Sequence, residues 1–321
     1  GSIDFSGVSS LVDISQDVFR DNRLTSIDFS PLTALEIIGA SSFNGNPFTE
    51  IHFGQLPNLR IIASYAFYGQ KVQHLDFSGL PALKEIGSYA FANRDGASNR
   101  GALESINFSG AVSLETISRA AFSNNSLIAL DFSPLVSLQR IEQDAFNFNR
   151  DIQSITFGPI PLKSIGQTAF TFTKITVLDL SQLVDLETIG LSAFRGSYGL
   201  EEIYFPVSRD GRAPQLKNIG ELAFELSAIQ SLELRDLPEL VSIGASAFTK
   251  NYNLTEVRMS NLPKLSTVGG SAFSLTNMRE IFIDDARSLI ELPASLVSST
   301  TGGHPEYDDL VVIWVTPAET N

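Results

Sequence analysis

"SIDFSPLTALEIIGASSFNGN", residues 26–46, sets Asp28 between Ile27 and Phe29, and near-copies of it recur along the chain. The dipeptides ending in Phe form one series: Val18-Phe19, Ser42-Phe43, Ala66-Phe67, Ala90-Phe91, Ala121-Phe122, Ala145-Phe146, Ala169-Phe170, Ala193-Phe194, Ala223-Phe224, Ala247-Phe248 and Ala272-Phe273. Their step is 24 residues nearly throughout, with longer steps from Phe91 to Phe122 and from Phe194 to Phe224. A second series in register runs from Ile3-Asp4-Phe5 through Ile27-Asp28-Phe29, Ile51-His52-Phe53 and Leu75-Asp76-Phe77 to Ile281-Phe282-Ile283, and a third carries Leu-x-x-Ile, as in Leu35 and Ile38. A fixed period of this length is the signature of a repeat architecture.

Two of these columns hold 19 of the 23 phenylalanines. An amphipathic helix would scatter them, so they read as stacked core ladders. Each repeat is too small to bury its own apolar positions, and adjacent copies supply the missing walls. Ser26, Asp28 and Ser30 alternate with Ile27 and Phe29 as the outward and inward positions of a strand. About twelve 24-residue coils are expected, with a continuous parallel sheet on one face, short strands or 3₁₀ turns on the other and little helix. A glycine column at Gly39, Gly87, Gly166, Gly190, Gly220 and Gly244 is expected to permit a backbone bend. Three residues past the second Phe stands a polar side chain, as in Asn22, Asn46, Gln70, Asn125, Asn149, Thr173, Ser197, Ser227, Asn251 and Thr276, read as a structural ladder satisfying turn backbone groups.

The motif LxxIGxxAF followed by a polar position, as in "LKEIGSYAF" (83–91), "LETIGLSAF" (186–194) and "LVSIGASAF" (240–248), resembles the BspA-like, or treponemal-type, leucine-rich repeats of bacterial and protozoan surface proteins. The resemblance covers essentially the whole chain. It departs from that family in placing amide and hydroxyl side chains where Cys is frequent, and from common leucine-rich repeats in placing Leu32, Leu56, Leu80 and Leu135 where Asn usually follows the strand. The resemblance implies a leucine-rich-repeat solenoid with a secreted or cell-surface role in adhesion and protein recognition.

Composition narrows the function classes. The 36 acidic against 22 basic residues leave a formal charge of −14, which repels nucleic acid and anionic lipid surfaces. Without cysteine there is no disulfide framework, thiolate metal site or cysteine nucleophile. The apolar run 310–315 is far short of the roughly 20 residues that span a bilayer, so direct membrane insertion is not expected. The chain opens already inside the repeat, as a piece trimmed from a longer one would, so a missing export signal carries little weight. No phosphate-cradling, dinucleotide or G-x-S-x-G pattern occurs. Neither enzyme activity nor a cofactor is expected.

Two insertions interrupt the period, "ANRDGASNRGA" (92–102) and "PVSRDGRAPQ" (206–215), and their Arg, Asp, Gly, Ser and Asn content reads as solvated loops. The repeat is lost after Leu292. Residues 1–292 are therefore read as the solenoid and 293–321 as a C-terminal cap over its exposed end, with Leu310 to Val315 as a final strand containing Trp314.

Two groups of outward residues are candidate sites. Asp28, His52, Asp76, Glu50 and His74 fall in adjacent outward columns, a weak candidate for a divalent metal; the alternative is that His52 relieves a column of like charges. Toward the C-terminus the outward residues become large: Glu202, Tyr204, Glu233, Arg235, Glu256, Arg258, Glu280 and Phe282. Aromatic and Arg side chains concentrate at binding hot spots, so Tyr204, Arg235, Arg258 and Phe282 are the expected protein-binding patch. A carbohydrate-binding module using the hydroxyl-rich face and Tyr204, and a passive surface spacer, are the alternatives.

Overall fold

The computed structural model describes residues 1–93, 101–289, 292–293, 295–296 and, for the backbone alone, 312–316. The chain packs as two compact units, Gly1–Leu162 and Lys163–Asn321. Each is a parallel β-solenoid without helix among the described residues, and the chain makes about eleven turns of roughly 24 residues. Every turn has three sides. In the opening stretch these are the strand Ser26–Asp28, the two-residue strand Ile37–Ile38 and a run of tandem turns across residues 40–45.

The shortest strands form the most regular ladder. In the first unit Asp13–Ile14, Ile37–Ile38, Ile61–Ile62, Glu85–Ile86, Thr116–Ile117 and Arg140–Ile141 pair in sequence order. In the second, Ser164–Ile165 through Thr267–Val268 do the same. The wider strands, expected as one continuous sheet, pair only two by two in the first unit: Ser26–Asp28 with Glu50–His52, His74–Asp76 with Ser105–Asn107, and Ala129–Asp131 with Ser154–Thr156. Their inward phenylalanines stand 5.6 Å apart from Phe29 to Phe53 and 6.0 Å apart from Phe108 to Phe132. Ring spacing does not decide which strands pair: Phe53 and Phe77, beside strands that do not pair, stand 5.5 Å apart, and Phe77 and Phe108, beside strands that do, 5.8 Å.

In the second unit Val177–Asp179 pairs with Glu202–Tyr204, and a four-strand ladder then runs through Ser231–Arg235, Glu256–Ser260, Glu280–Asp284 and Val312–Thr316. Here the inward column is aliphatic: Leu234, Met259 and Ile283, all buried. The copy Ile3-Asp4-Phe5, expected as the first strand, lies outside any strand, although Phe5 is buried and stacks on Phe29 at 6.0 Å. The expected final strand is present as Val312–Thr316; Leu310 and residues 94–100 of the first insertion lie outside the described residues.

The tandem turns make the third side a ladder with a direction. Ser41, Phe43 and Gly45 each donate a backbone N–H to the next coil, at the carbonyls of Ser64, Ala66 and Tyr68. The carbonyls of Ala40, Ser42 and Asn44 accept from Asp17, Phe19 and Asp21 of the preceding one. Left-handed φ at Ser41 (52°) and Gly45 (75°) alternates with right-handed neighbours and aims alternate amides the same way. The glycine column has another purpose than the expected bend, since Gly39 and Gly244 are not left-handed. A Cβ at Gly39 would stand 2.4 Å from the carbonyl oxygen of Ile14, and one at Gly244 2.4 Å from the amide nitrogen of Glu221. Close backbone approach between coils requires them.

The polar ladder is structural in the interior coils. Asn149, fully buried, donates to the carbonyls of Phe122 (2.8 Å) and Phe146 (2.9 Å) and accepts from the Leu127 amide at 3.3 Å. Asn46 and Asn251 make the same three bonds. One side chain thereby joins two coils with no donor wasted. Toward the ends the column is less enclosed: Asn22 is exposed and Thr276 half-buried.

Candidate functional site

The outward residues of the wide strands form the most varied surface. In the first unit the Asp and Asn residues of this column, but not His52 or Thr156, close the turn that follows. Asp4, Asp28, Asp76, Asp131 and, as Asn, residue 107 each accept the backbone N–H two residues on, at 2.8 to 3.0 Å; Asp179 in the second unit does likewise at 2.9 Å. These are Asx turns. Ser30 bonds Asp28 through both its amide and its hydroxyl, and these bonds, in that setting with His52 opposite, hold the Asp28 carboxyl below its ordinary 3.8.

The five metal candidates fall on two separate ladders. Asp28 stands opposite His52 on one, and His74 and Asp76 stand opposite Ser105 and Asn107 on the other. His52 Nε2 lies 3.8 Å from Glu50 Oε2, His74 Nδ1 lies 2.8 Å from Ser105 Oγ, and Asp76 Oδ1 accepts from Asn107 Nδ2 at 2.9 Å. Among the described residues no group of three or more His, Asp or Glu side chains is placed to hold a metal ion.

In the second unit the column stops being Asp at Tyr204, on a strand still three residues long, and from the next coil the strands have five residues. Glu233, Arg258 and Phe282 lie side by side there in register. None can make the Asx turn, and here the ladder runs two residues further and turns at Asp236, Asn261 and Asp285, each with left-handed φ near 50°. Arg258 is held on several sides. Its Nε pairs with Glu256, its guanidinium lies 4.5 Å over the Phe282 ring, and Glu233 stands opposite it on the adjoining strand. A guanidinium over an aromatic face gains from the ring quadrupole, and its ion pair limits the freedom it would lose on binding.

Arg235 Nη1 lies 3.2 Å from Glu233 Oε1 and remains 61% exposed. Tyr204 is on the separate pair with Val177–Asp179, opposite Asp179. Its hydroxyl donates to Glu202 Oε2 at 2.5 Å, and that hydrogen bond, followed by the Glu202 charge, raises the phenol above its ordinary 10.0. The structure thus joins Arg235, Arg258 and Phe282 on one ladder and sets Tyr204 on another. Between Tyr204 and the long strands, the second insertion is an ordered hairpin. Arg209 and Arg212 exchange backbone hydrogen bonds around Asp210 (φ 50°) and Gly211 (φ 74°), a two-residue turn of the type Asp-Gly favours. Their guanidiniums reach Gln182 and Asp185. Sequence reasoning read this stretch only as a solvated loop, although the Asp-Gly pair carried the signal.

Residues 12–100, 96–211 and 184–295 match the BspA type leucine rich repeat region, six copies in all. No curated protein matches the chain. Among solved structures the chain is similar to a leucine-rich repeat protein from Bacteroides ovatus, at 17% identity and TM-score 0.46 over 96% of this chain and 88% of that one. It is similar also to the pneumococcal vaccine antigen PcpA, at 19% identity and TM-score 0.46 over 96% and 80%. A leucine rich cell surface protein from Faecalibacterium prausnitzii follows at 13% identity and TM-score 0.37, over 81% and 77%.

Proposed function

Because the chain belongs to the BspA-type leucine-rich repeat family, we propose that it is a non-enzymatic interaction module displayed outside the cell, binding a protein partner through the strand face of its C-terminal coils. The observation that carries this reading is the seating of Arg258 between Glu256 and Phe282 on a ladder of five-residue strands. A desolvatable Arg and an aromatic, fixed on rigid elements and rimmed by charge, have the composition of an interface centre. Arg235 extends that centre, and Tyr204 borders it beyond the hairpin. The acidic balance favours partners with a basic surface. No helix among the described residues is long and apolar enough to cross a membrane.

The test is a binding screen of the purified chain against an array of extracellular proteins. Each positive is then repeated with Tyr204, Arg235, Arg258 and Phe282 all replaced by Ala. Loss of about 2 kcal/mol or more of binding free energy in the quadruple variant is expected for a hot-spot cluster. Unchanged affinity for every partner found would overturn the assignment of this face.

A further inference from the structure

The turn side of the first unit carries an aromatic group that the strand-face reading does not use. Tyr65 and Tyr89 occupy equivalent positions on successive coils and stack face to face at 4.8 Å with 8° between their planes. Tyr68 stands 5.6 Å from Tyr65 at 66°. The row to which Tyr65 and Tyr89 belong begins Asp17, Ser41, Tyr65, Tyr89, and all four share nearly the same left-handed φ, 59°, 52°, 59° and 57°. Their Cα–Cβ bonds therefore project in parallel, one coil apart, and the stacking direction of the two rings is the direction of the row.

Bulky side chains are uncommon in left-handed conformation, where Asn, Asp and Gly are the usual choices. Two successive tyrosines contribute nothing to making these turns, which Asp17 and Ser41 make equally well. Nor are the rings buried as core: Tyr65 is 39% exposed, and Tyr68 and Tyr89 are half-buried. On the side of Tyr65 away from Tyr89 the row drops to Ser41, half-buried, too short to continue the stack. Beyond it is Asp17, whose side chain is 41% exposed and whose Oδ1 lies 3.3 Å from Arg20 Nη1. Asn44, the counterpart of Tyr68 on the Ser41 coil, lies beside this step.

We propose that this step is a subsite for a neutral glycan, with one pyranose ring stacked on the face of Tyr65 turned away from Tyr89. A place one ring thick is bounded by an aromatic face on one side and by a carboxylate about two coil spacings away, roughly 10 Å, on the other. The C–H groups of a sugar face are drawn to the negative face of the ring. Its hydroxyls require both donors and acceptors, which Ser41, Asn44 and Asp17 supply from one surface. The net charge of −14 disfavours acidic sugars.

Isothermal titration with cellohexaose, maltohexaose, chitohexaose and mannohexaose, together with a proline-rich decapeptide as the competing class, tests the proposal. At least one hexasaccharide should bind, with the Tyr65→Ala variant weakened about tenfold or more. Ser41→Tyr is the sharper variant, because it extends the stack into the slot at a backbone angle Tyr65 already adopts; it should abolish sugar binding without lowering the thermal midpoint. Val136→Ala, at an exposed site elsewhere on the unit, should change nothing. Failure of all four sugars to bind, full affinity in Ser41→Tyr, or binding of the peptide in place of sugar would each overturn the proposal. These residues are not on the strand face, so none of these outcomes bears on the protein-binding patch.

Discussion

Glu225 brings a carboxylate into the solenoid wall with only 3% of its surface exposed, between Arg195 (Nε to Oε2, 2.5 Å) and Lys250 (Nζ to Oε1, 2.7 Å) on the flanking coils. The Arg195 contact is an ion pair without hydrogen-bond alignment. Removing one member of a buried pair strands the rest, at a cost of roughly 3–5 kcal/mol. Both cations here are more than a third exposed, at 41% and 35%, so solvent compensates part of that loss. Glu225→Ala is expected to destabilise by about 2 kcal/mol, read as a lower urea midpoint at constant slope. Asp28 gives a pH-dependent counterpart. Its folded pKa is depressed, so its contribution is fully present above the unfolded value near 3.8 and is lost as pH falls through the lowered folded value. Asp28→Asn keeps an acceptor for the Ser30 amide, as Asn107 does for Ser109, but cannot titrate. Acid titration of its stability should therefore show a shallower loss below pH 3.8 than the parent; an identical acid limb would assign the effect to other carboxylates.

At the Asp positions of the wide face a side chain competes for one backbone N–H, whereas the strands ending at His52, Thr156 and Tyr204 stop without that competitor. Where residue i is Asp, its carboxylate takes the amide of i+2 and the strand stops, as at Asp131 and Ser133 (2.9 Å). Where the residue is Glu233, Arg258 or Phe282, that amide stays in the ladder and the strand continues. Ser260 already follows Arg258 at the required spacing, so Arg258→Asp supplies the missing half of an Asx turn. Hydrogen exchange should then quicken at residues 259–261, while Asp131→Ala should cost about 1 kcal/mol, the scale of one local hydrogen bond. Unaltered exchange in Arg258→Asp would show that the aliphatic inner column alone sets strand length. Period, inward columns and cross-coil stacking were readable from the sequence because the Phe columns repeat at fixed spacing and each ring meets its own copy. The outward Asp column was readable only as a surface row. Its bond is to a backbone group, which no side-chain pattern displays. In sequence the Gly39 column reads as a bend because glycine permits two things, unusual φ and close approach, and only the position of the Ile14 carbonyl distinguishes them. The Tyr65–Tyr89 stack stands in the same periodic alignment, but its row begins with Asp17 and Ser41 and lies in turns, where no apolar column marks it.

At the scale of the whole molecule, the tandem-turn side gives each solenoid unit a polarity that its strands alone would not. Alternate amides on that side point toward the following coil, so the last coil of an array always presents donors with no coil to receive them. In the second unit those donors are received by a segment outside the repeat: Ser271 donates to the Ser295 carbonyl at 3.0 Å and Phe273 to the Leu296 carbonyl at 3.1 Å, with Leu296 itself buried. The wide face is extended by a different piece of chain, Val312–Thr316, which pairs in parallel with Glu280–Asp284. The segment beyond residue 292 therefore meets the final coil on two of its three sides. Ending the chain after Leu292 would leave the Ser271 and Phe273 amides without these acceptors and Glu280–Asp284 as an open edge. Loss of two backbone bonds, at about 1 kcal/mol each, should lower exchange protection at Ser271 and Phe273 by roughly thirtyfold. Because each coil contacts only its neighbours, the loss should fade within a coil or two and leave Phe194 and Phe224 as protected as before. Protection lost evenly from Ser164 to Phe273 would mean that the second unit unfolds as one cooperative body rather than fraying from its end.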